Sequence, residues 1–331
     1  MSEKEKLRGI DDEFAEAFKK TELYKLYEAH KDELIIGICN NYINLYYNCD
    51  SIAKIIYNKK EKSIFCVINR YYLEGKHFKG KEKNDILKPN EIYEEYKSIK
   101  ENSDIDDNVN AKKKKELKTQ SKLFILNNNE KNKSSKWFCI DIENRNKGFK
   151  GRFDIIAISK ESPHRVALIE VKYGNKALHG HSGIKEHIKN FAKFYEVNEN
   201  KNYFRDHMRK EIVNIIESLK YLEINTPFDN IPEKNSISPE PEFYFIIFDN
   251  NIKDNNRTPK QEIARLLFSD KTRWGGFNSP LKNPIDKGEY GDVTDINNKK
   301  FHATFLFSTQ KLKEIEINDI IEDISYDKEP K

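Results

Sequence analysis

Two kinds of hydrophobic pattern occupy the first quarter of the chain. In residues 11–30, large apolar side chains recur at helical spacing, which predicts a helix that packs on a neighbour. Residues 33–75 are instead rich in Ile, Val and Tyr and are interrupted by Asn-Asn, Asn-Cys-Asp-Ser and Asn-Lys-Lys-Glu-Lys. β-prone runs between turn-forming residues favour a meander of about four antiparallel strands.

The remaining pattern predicts an alternation of helices and strands. In order, it predicts a helix at Lys112–Leu126, strands at Trp137–Glu143, Gly151–Ser159 and Arg165–Lys172, a helix from Gly183 through Tyr195, a second amphipathic helix at residues 203–224, a strand at Glu242–Asp249, a long polar loop at Thr272–Thr294 and a last strand at Phe301–Ser308. This order is typical of an α/β sandwich with a mixed central sheet.

Two of these strands carry charged residues among apolar ones. If Ile158 faces Val166 across the loop, counting back places Asp154 opposite Glu170, with Cβ atoms about 4.5–5.5 Å apart. Lys172 lies two residues after Glu170 and therefore shares its face. The strands are too apolar for a solvated edge, and a buried charge is tolerated only when it is paired or bound to a metal. A divalent cation between the carboxylates would remove the conflict.

A simpler alternative is a salt-bridge ladder on a wet face of the sheet, since a slip of one residue in register would separate the three side chains. The preceding strand leaves a second choice open. Glu143 either completes a metal site beside Asp154 or pairs with Arg152, because the connecting loop is too long to fix the register.

These residues resemble the motif of the PD-(D/E)XK phosphodiesterase superfamily, which has the restriction-endonuclease-like fold. Asp154 matches the aspartate of the motif, Glu170 its acidic position and Lys172 its lysine, while Phe153 stands where the motif has proline. The helix that opens at Gly183 is similar to one that follows the motif in related nucleases and presents a polar residue to the site. Here that residue is His187. The resemblance covers roughly residues 137–195.

The resemblance implies an α/β fold with a restriction-endonuclease-like core, a mixed central sheet flanked by helices, in residues 111–331. Residues 1–110 would form an N-terminal α+β extension that contains the antiparallel meander. It further implies that Asp154 and Glu170, with the carbonyl of Val171, hold Mg²⁺, for which Mn²⁺ can substitute. Lys172 would orient the attacking water or offset charge on the phosphorane, and Glu143 is the candidate for a further metal ligand.

Composition fits a cytoplasmic protein. Charged residues make up 34% and hydrophobic residues 37% of the chain. No apolar run approaches the ~20 residues that span a bilayer, and the N-terminus lacks the apolar core of a signal peptide. The four cysteines have neither disulfide-like nor zinc-finger spacing, which predicts free thiols in a reducing compartment.

Charge is locally rather than globally biased. The net charge is only +4, yet Lys112–Lys115 is a run of four lysines followed by further lysines up to Lys136. This run either faces nucleic-acid phosphates or forms a solvated helix end. The tyrosines of residues 42–72 likewise either stack on bases or pack on the sheet surface.

We expect a metal-dependent nuclease that hydrolyses phosphodiester bonds in DNA, in defence against foreign DNA or in repair. The alternative is a catalytically inactive nucleic-acid-binding module with a nuclease-like fold. A third hypothesis, a protein-interaction scaffold, depends on the tyrosines of the meander alone. The predicted partner is nucleic acid rather than a membrane, and a homodimer is left open.

Overall fold

The computed structural model of the protein describes residues 7–75, 83–104, 111–129, 135–145, 152–180, 183–201, 203–248, 259, 262–263, 289–294 and 300–308. The chain folds into two compact units. The first comprises Met1–Glu130 and His207–Lys234, and the second comprises Lys131–Asp206 and Asn235–Lys331. This division differs from the boundary predicted at residue 110 at two places, because residues 111–130 and residues 207–234 also belong to the first unit.

The first unit contains a five-stranded antiparallel sheet. Its strands follow one another in space as they do in sequence, β1-β2-β3-β4-β5. They are β1 (Leu34–Ile38), β2 (Ile43–Tyr47), β3 (Asp50–Asn58), β4 (Ser63–Asn69) and β5 (Asn84–Leu87). The predicted meander is confirmed, with β5 as an additional edge strand. β5 has only four residues and a polar start, so it gives a weak strand pattern.

The helices of the first unit include one correction. They are α1 (Asp12–Lys19), α2 (Glu22–Ala29), α3 (Tyr71–Glu74), α4 (Pro89–Asp104), α5 (Ala111–Asn128) and α7 (Arg209–Tyr221). The single helix predicted for residues 11–30 is wrong, because Thr21 starts a second helix by accepting a hydrogen bond from the backbone N–H of Tyr24. Asp11 caps α1 in the same way through Phe14.

Helix α7 completes the first unit although it lies about a hundred residues downstream of the meander. Its apolar stripe is buried and consists of Ile212, Ile215, Ile216 and Leu219. Ser218 Oγ accepts a hydrogen bond of 3.0 Å from Ile10 N–H, and Leu222 O accepts one of 2.5 Å from the Tyr24 hydroxyl. These bonds join α7 to the N-terminal helices.

The second unit is built on a six-stranded mixed sheet in the order β10-β11-β9-β8-β7-β6. The strands are β6 (Trp137–Arg145), β7 (Arg152–Ser159), β8 (Val166–Tyr173), β9 (Glu242–Phe248), β10 (Glu289–Thr294) and β11 (Lys300–Ser308). β6, β7 and β8 pair antiparallel, whereas β8, β9 and β11 run parallel. The predicted mixed sheet is confirmed. The loop predicted at Thr272–Thr294 is wrong for its last six residues, which form β10, and residues 272–288 lie outside the described part.

Helix α6 (Ile184–Lys201) packs an aromatic core onto this sheet. Phe191 lies at the centre, with ring centroids 5.4 Å from Phe153 and 4.9 Å from Phe245. Phe245 in turn stacks on Phe305 of β11 at 5.0 Å. The apolar stripe of α6 is fully buried and consists of Ile184, Ile188, Phe191 and Phe194. This contact fixes the helix that carries His187.

The structure bears on two alternatives that the sequence left open, the role of the lysine run and the role of the tyrosines in the meander. Lys114 donates to Ser103 O at 2.8 Å and Lys118 Nζ lies 2.9 Å from Asp104 Oδ1, so part of the basic run bonds within the first unit. Tyr46, Tyr47 and Tyr57 are buried, which favours packing over base stacking. All four cysteines are described and buried, and none of them forms a disulfide bond. Among the described helices, none has the length and apolar character needed to cross a membrane.

Candidate active site

The β7–β8 hairpin brings the predicted carboxylates together. Ile158 pairs with Val166, as the sequence predicts, and the ladder continues to the pair Ile155–Ile169. One step further along both strands places Asp154 beside Glu170. The regular ladder stops at Ile155–Ile169, and beyond it Asp154 Oδ2 accepts a hydrogen bond of 2.8 Å from the backbone N–H of Val171. The carboxylate of Asp154 is therefore held against β8.

Glu170 is the centre of the site. It is 1% exposed and lies on β8. Its Oε1 accepts a hydrogen bond from Lys172 Nζ at 2.6 Å and lies 3.0 Å from His187 Nδ1. Its Oε2 is buried and has no hydrogen-bond partner among the described residues. A buried acceptor without a partner costs stability, so this oxygen suits a cation or a water that the protein itself does not supply.

Lys172 is a buried ammonium, 3% exposed. It projects from the same face of β8 as Glu170 because the two residues are two positions apart. A buried ammonium requires a counter-charge, and Glu170 provides it. The ion pair therefore fixes Lys172 in the site rather than in solvent.

His187 reaches Glu170 from the first turn of α6. The start of this helix is closely packed against the preceding 3₁₀ turn (Asn175–Leu178). A Cβ on Gly183 would lie 2.5 Å from Leu178 O and 2.6 Å from His179 C, so only glycine fits there. The close packing of Gly183 and the buried stripe of α6 together position His187 four residues later.

Glu143 lies on the other side of Asp154. The pairs Ile142–Ile155 and Asn144–Phe153 place it beside Asp154 on the neighbouring strand. Its φ of 55° is unusual for a residue with a side chain, and β6 also has an irregular register before it, between Cys139 and Asp141. Glu143 Oε2 forms an ion pair with Arg152. Of the two roles considered from the sequence, pairing with Arg152 is the one observed, and metal ligation by Glu143 stays a prediction.

Arg152 lies beside two of the three carboxylates, Glu143 and Asp154. Its Nη1 contacts Glu143, and its Nη2 lies 3.7 Å from Asp154 Oδ1. Sequence reasoning named Arg152 only as a partner of Glu143. The contact with Asp154 could have been anticipated, since residues 152 and 154 are two apart on one strand and share a face.

The electrostatics of the two carboxylates are opposite. Burial, and then the nearby charge of Glu170, raise the pKa of Asp154 well above its ordinary value. Burial also acts to raise the pKa of Glu170, but Lys172 and His187 outweigh it and hold that pKa below the ordinary value. Glu170 is therefore the more acidic carboxylate of the pair, because Lys172 and His187 contact it directly.

The oxygen donors of Asp154 and Glu170 suit a hard divalent cation such as Mg²⁺ or Mn²⁺ better than a softer metal such as Zn²⁺. In the described part of the chain, no three His, Cys, Asp or Glu side chains are arranged to hold a metal ion by themselves. Mg²⁺ does not need such a cluster, because it usually takes one or two carboxylates and keeps several waters. The unpartnered Oε2 of Glu170 and the adjacent Asp154 provide that donor set.

Comparisons of the chain with protein-family models, with curated proteins and with solved structures give no match. The interpretation of the site therefore depends on its own geometry.

Proposed function

We propose that the protein is a metal-dependent nuclease that hydrolyses phosphodiester bonds in DNA. The observation that carries this proposal is the buried group of Asp154, Glu170 and Lys172, in which Glu170 Oε2 has no hydrogen-bond partner in the part of the chain that the structure describes. Buried carboxylates side by side are costly in a protein interior. They are useful where a cation binds between them.

Asp154 and Glu170 would hold Mg²⁺ or Mn²⁺, together with the backbone carbonyl of Val171 and, once released from Arg152, Glu143. When bound, such an ion polarises the scissile phosphate and lowers the pKa of a coordinated water. The bond from Val171 N–H to Asp154 keeps the aspartate and the Val171 peptide next to each other. Two of the proposed donors are thus fixed on neighbouring strands before any ion binds.

Lys172 would act on the reacting groups. Its ammonium is held by Glu170 at 2.6 Å and is buried, so its charge is poorly screened by water. From that position it can orient the attacking water or offset the negative charge that develops on the phosphorane. His187 contacts Glu170 and would keep that carboxylate in place, which makes it a positioning residue.

The strand order of the second unit supports this proposal. The antiparallel strands β6, β7 and β8 continue into the parallel strands β9 and β11, and α6 packs on the sheet after β8. This arrangement supports a restriction-endonuclease-like core in the second unit. Defence against foreign DNA and DNA repair are the two settings that a nuclease of this kind suits.

One observation favours the alternative, an inactive nucleic-acid-binding module. Lys172 and Arg152 already provide positive charge beside the carboxylates, so the site is partly balanced without a metal. A protein that keeps the sheet and the ion pairs but binds no divalent cation would be such a module.

A cleavage experiment separates the two. The wild-type protein is incubated with plasmid, linear duplex, single-stranded DNA and RNA, with Mg²⁺ or with a chelator. We expect Mg²⁺-dependent cleavage of DNA by the wild type and its loss in Asp154→Asn. No metal-dependent cleavage of any substrate, or equal cleavage by Asp154→Asn, would reject the nuclease proposal.

A further inference from the structure

We propose that Arg152 is a built-in competitor of the metal ion: its guanidinium pairs with Glu143, lies beside Asp154 and must move away before a divalent cation binds. The inference rests on the proposed function, since it concerns the same site. It assigns Arg152 the role of setting the metal affinity, and it makes Glu143 a ligand that becomes free only when Arg152 leaves.

The contacts place Arg152 where a cation would be expected. Three carboxylates lie on three adjacent strands, Glu143 on β6, Asp154 on β7 and Glu170 on β8. Arg152 contacts the first and lies 3.7 Å from the second, while Lys172 bonds to the third. The guanidinium of Arg152 thus provides positive charge at the Glu143 end of the row, whereas Lys172 provides it at the Glu170 end.

The two cations of the site differ in their freedom to move. The side chain of Lys172 is 4% exposed and is paired with Glu170, whose side chain is 1% exposed. The side chain of Arg152 is 36% exposed, so its long stem can carry the guanidinium into water without a change in the backbone. The side chains of its partners are less exposed, 13% for Glu143 and 4% for Asp154, so the guanidinium is the part of this ion pair that solvent reaches most easily. Arg152 is therefore the cation that an incoming metal can replace.

Removal of the competing charge should strengthen the binding of a divalent cation. A guanidinium beside Asp154 repels a divalent cation, and it also occupies a carboxylate that the cation could use. Substitution of Arg152 by a neutral residue removes both effects. We expect Mn²⁺ to bind Arg152→Gln about tenfold more tightly than the wild type, a change of about 1.4 kcal/mol.

The chain offers a matched control. Arg165 belongs to the same unit and forms a two-pronged ion pair with Glu242, with bonds of 2.8 and 2.9 Å. It precedes β8 and lies five residues from Glu170, about 17 Å along an extended strand. Arg165→Gln should therefore leave the Mn²⁺ affinity unchanged, which separates loss of a local charge from a general loss of positive charge.

The first test is calorimetric titration of Mn²⁺ into the wild type, Arg152→Gln and Arg165→Gln, with no substrate present. Tighter binding by Arg152→Gln alone supports the inference. Equal or weaker binding by Arg152→Gln, when the wild type binds Mn²⁺, overturns the inference and leaves the nuclease proposal standing. No binding by the wild type overturns both.

A second test uses only the wild type and so does not depend on the folding of a variant. An arginine-selective dicarbonyl reagent is applied with and without Mn²⁺, and its reaction at each arginine is followed by mass spectrometry. We expect Mn²⁺ to increase the modification rate at Arg152 and to leave that at Arg165 unchanged. A rate at Arg152 that stays constant or falls when Mn²⁺ binds would show that the guanidinium is not displaced.

Discussion

Asp154 and Glu170 illustrate how neighbouring residues of one chemical type acquire different properties. Glu170 has two cationic or polar partners within 3.0 Å, Lys172 and His187. Asp154 has a backbone N–H and a more distant guanidinium. The charged form of Glu170 is stabilised by its partners and that of Asp154 is not. This difference leads to two contrasting predictions.

Asp154→Asn should change stability little. Burial and the nearby charge of Glu170 both raise the pKa of Asp154, so the charged carboxylate is disfavoured there and little favourable electrostatic energy is lost when Asn replaces it. An Asn oxygen can still accept the N–H of Val171. We expect the free energy of unfolding, measured by urea titration of the metal-free protein, to change by less than about 1 kcal/mol. A loss of several kcal/mol would show that the charged form of Asp154 holds the fold together.

Glu170→Gln should be far more damaging. It leaves the buried ammonium of Lys172 without a counter-charge, and loss of one partner of a buried pair costs about 3–5 kcal/mol. The matched control is Glu242→Gln, which breaks the partly exposed pair with Arg165 and should cost about 1 kcal/mol or less. Similar losses for the two variants, measured by the same urea titration, would contradict this account of Lys172.

At the scale of elements, the start of α6 is the most constrained point near the site. Gly183→Ala would place a methyl group 2.5 Å from a backbone oxygen, so the first turn of the helix has to shift. We expect unfolding to become easier by about 1–3 kcal/mol, with weaker nuclease activity because His187 moves from Glu170. Lys193→Ala, an exposed change on the same helix, is the control. Unchanged stability and activity of Gly183→Ala would mean that the turn accommodates the methyl group.

Asp104, the last residue of α4, bonds to three other residues. Its carboxylate accepts hydrogen bonds from the Tyr47 hydroxyl at 2.6 Å and from Asn48 Nδ2 at 3.1 Å, and it lies 2.9 Å from Lys118 Nζ. Burial acts to raise the pKa of Asp104, but these partners outweigh it and hold the pKa below its ordinary value. A lowered pKa in the folded state means that the stabilisation is present above the unfolded pKa of about 3.9 and is lost as the pH falls below it.

The lowered pKa of Asp104 predicts how the effect of Asp104→Asn on the free energy of unfolding depends on pH. At neutral pH the variant should unfold at lower urea concentration than the wild type, because it lacks the charged partner of Lys118. The difference should shrink as the pH is lowered from about 5 to about 2.5, since the wild-type carboxylate then becomes protonated. A difference that stays constant over this range would exclude a contribution from the ionised form.

The elements themselves were largely predictable from the sequence, and the failures have physical causes. The register of β7 and β8 could be predicted because a short loop and two apolar runs permit few pairings. The division of α1 from α2 depends on the hydroxyl of Thr21, which interrupts the helix without disturbing the hydrophobic spacing. β10 has the sequence EYGDVT, which carries almost no apolar signal, and it pairs only through β11.

At the scale of the whole chain, the division into units could not be predicted from local patterns. The stripe of α7 shows that one face is buried, but not which sheet it covers. The structure assigns α7 to the first unit, where Ser218 and Leu222 bond to Ile10 and Tyr24. The candidate site is different, because strand pairing brings its residues together. Asp154, Glu170 and Lys172 could therefore be grouped from the sequence, whereas the role proposed for Arg152 could not.

The fragment 111–331 tests the assignment of α7. It retains the helix but lacks the N-terminal partners, so the side chains Ile212, Ile215, Ile216 and Leu219 should become exposed. We expect this fragment to aggregate in size-exclusion chromatography and to bind a hydrophobic dye. Residues 131–331 with 207–234 replaced by a Gly/Ser linker should stay monodisperse. A monodisperse fragment 111–331 that binds no dye would contradict the division.

The central claim is that Asp154 and Glu170 form the binding site of a divalent cation. Calorimetric titration of Mn²⁺ into the wild type and into Asp154→Asn tests it most directly, because the variant is expected to keep the fold. The account predicts saturable binding by the wild type and loss of that binding in Asp154→Asn. Equal affinities in the two proteins would contradict it.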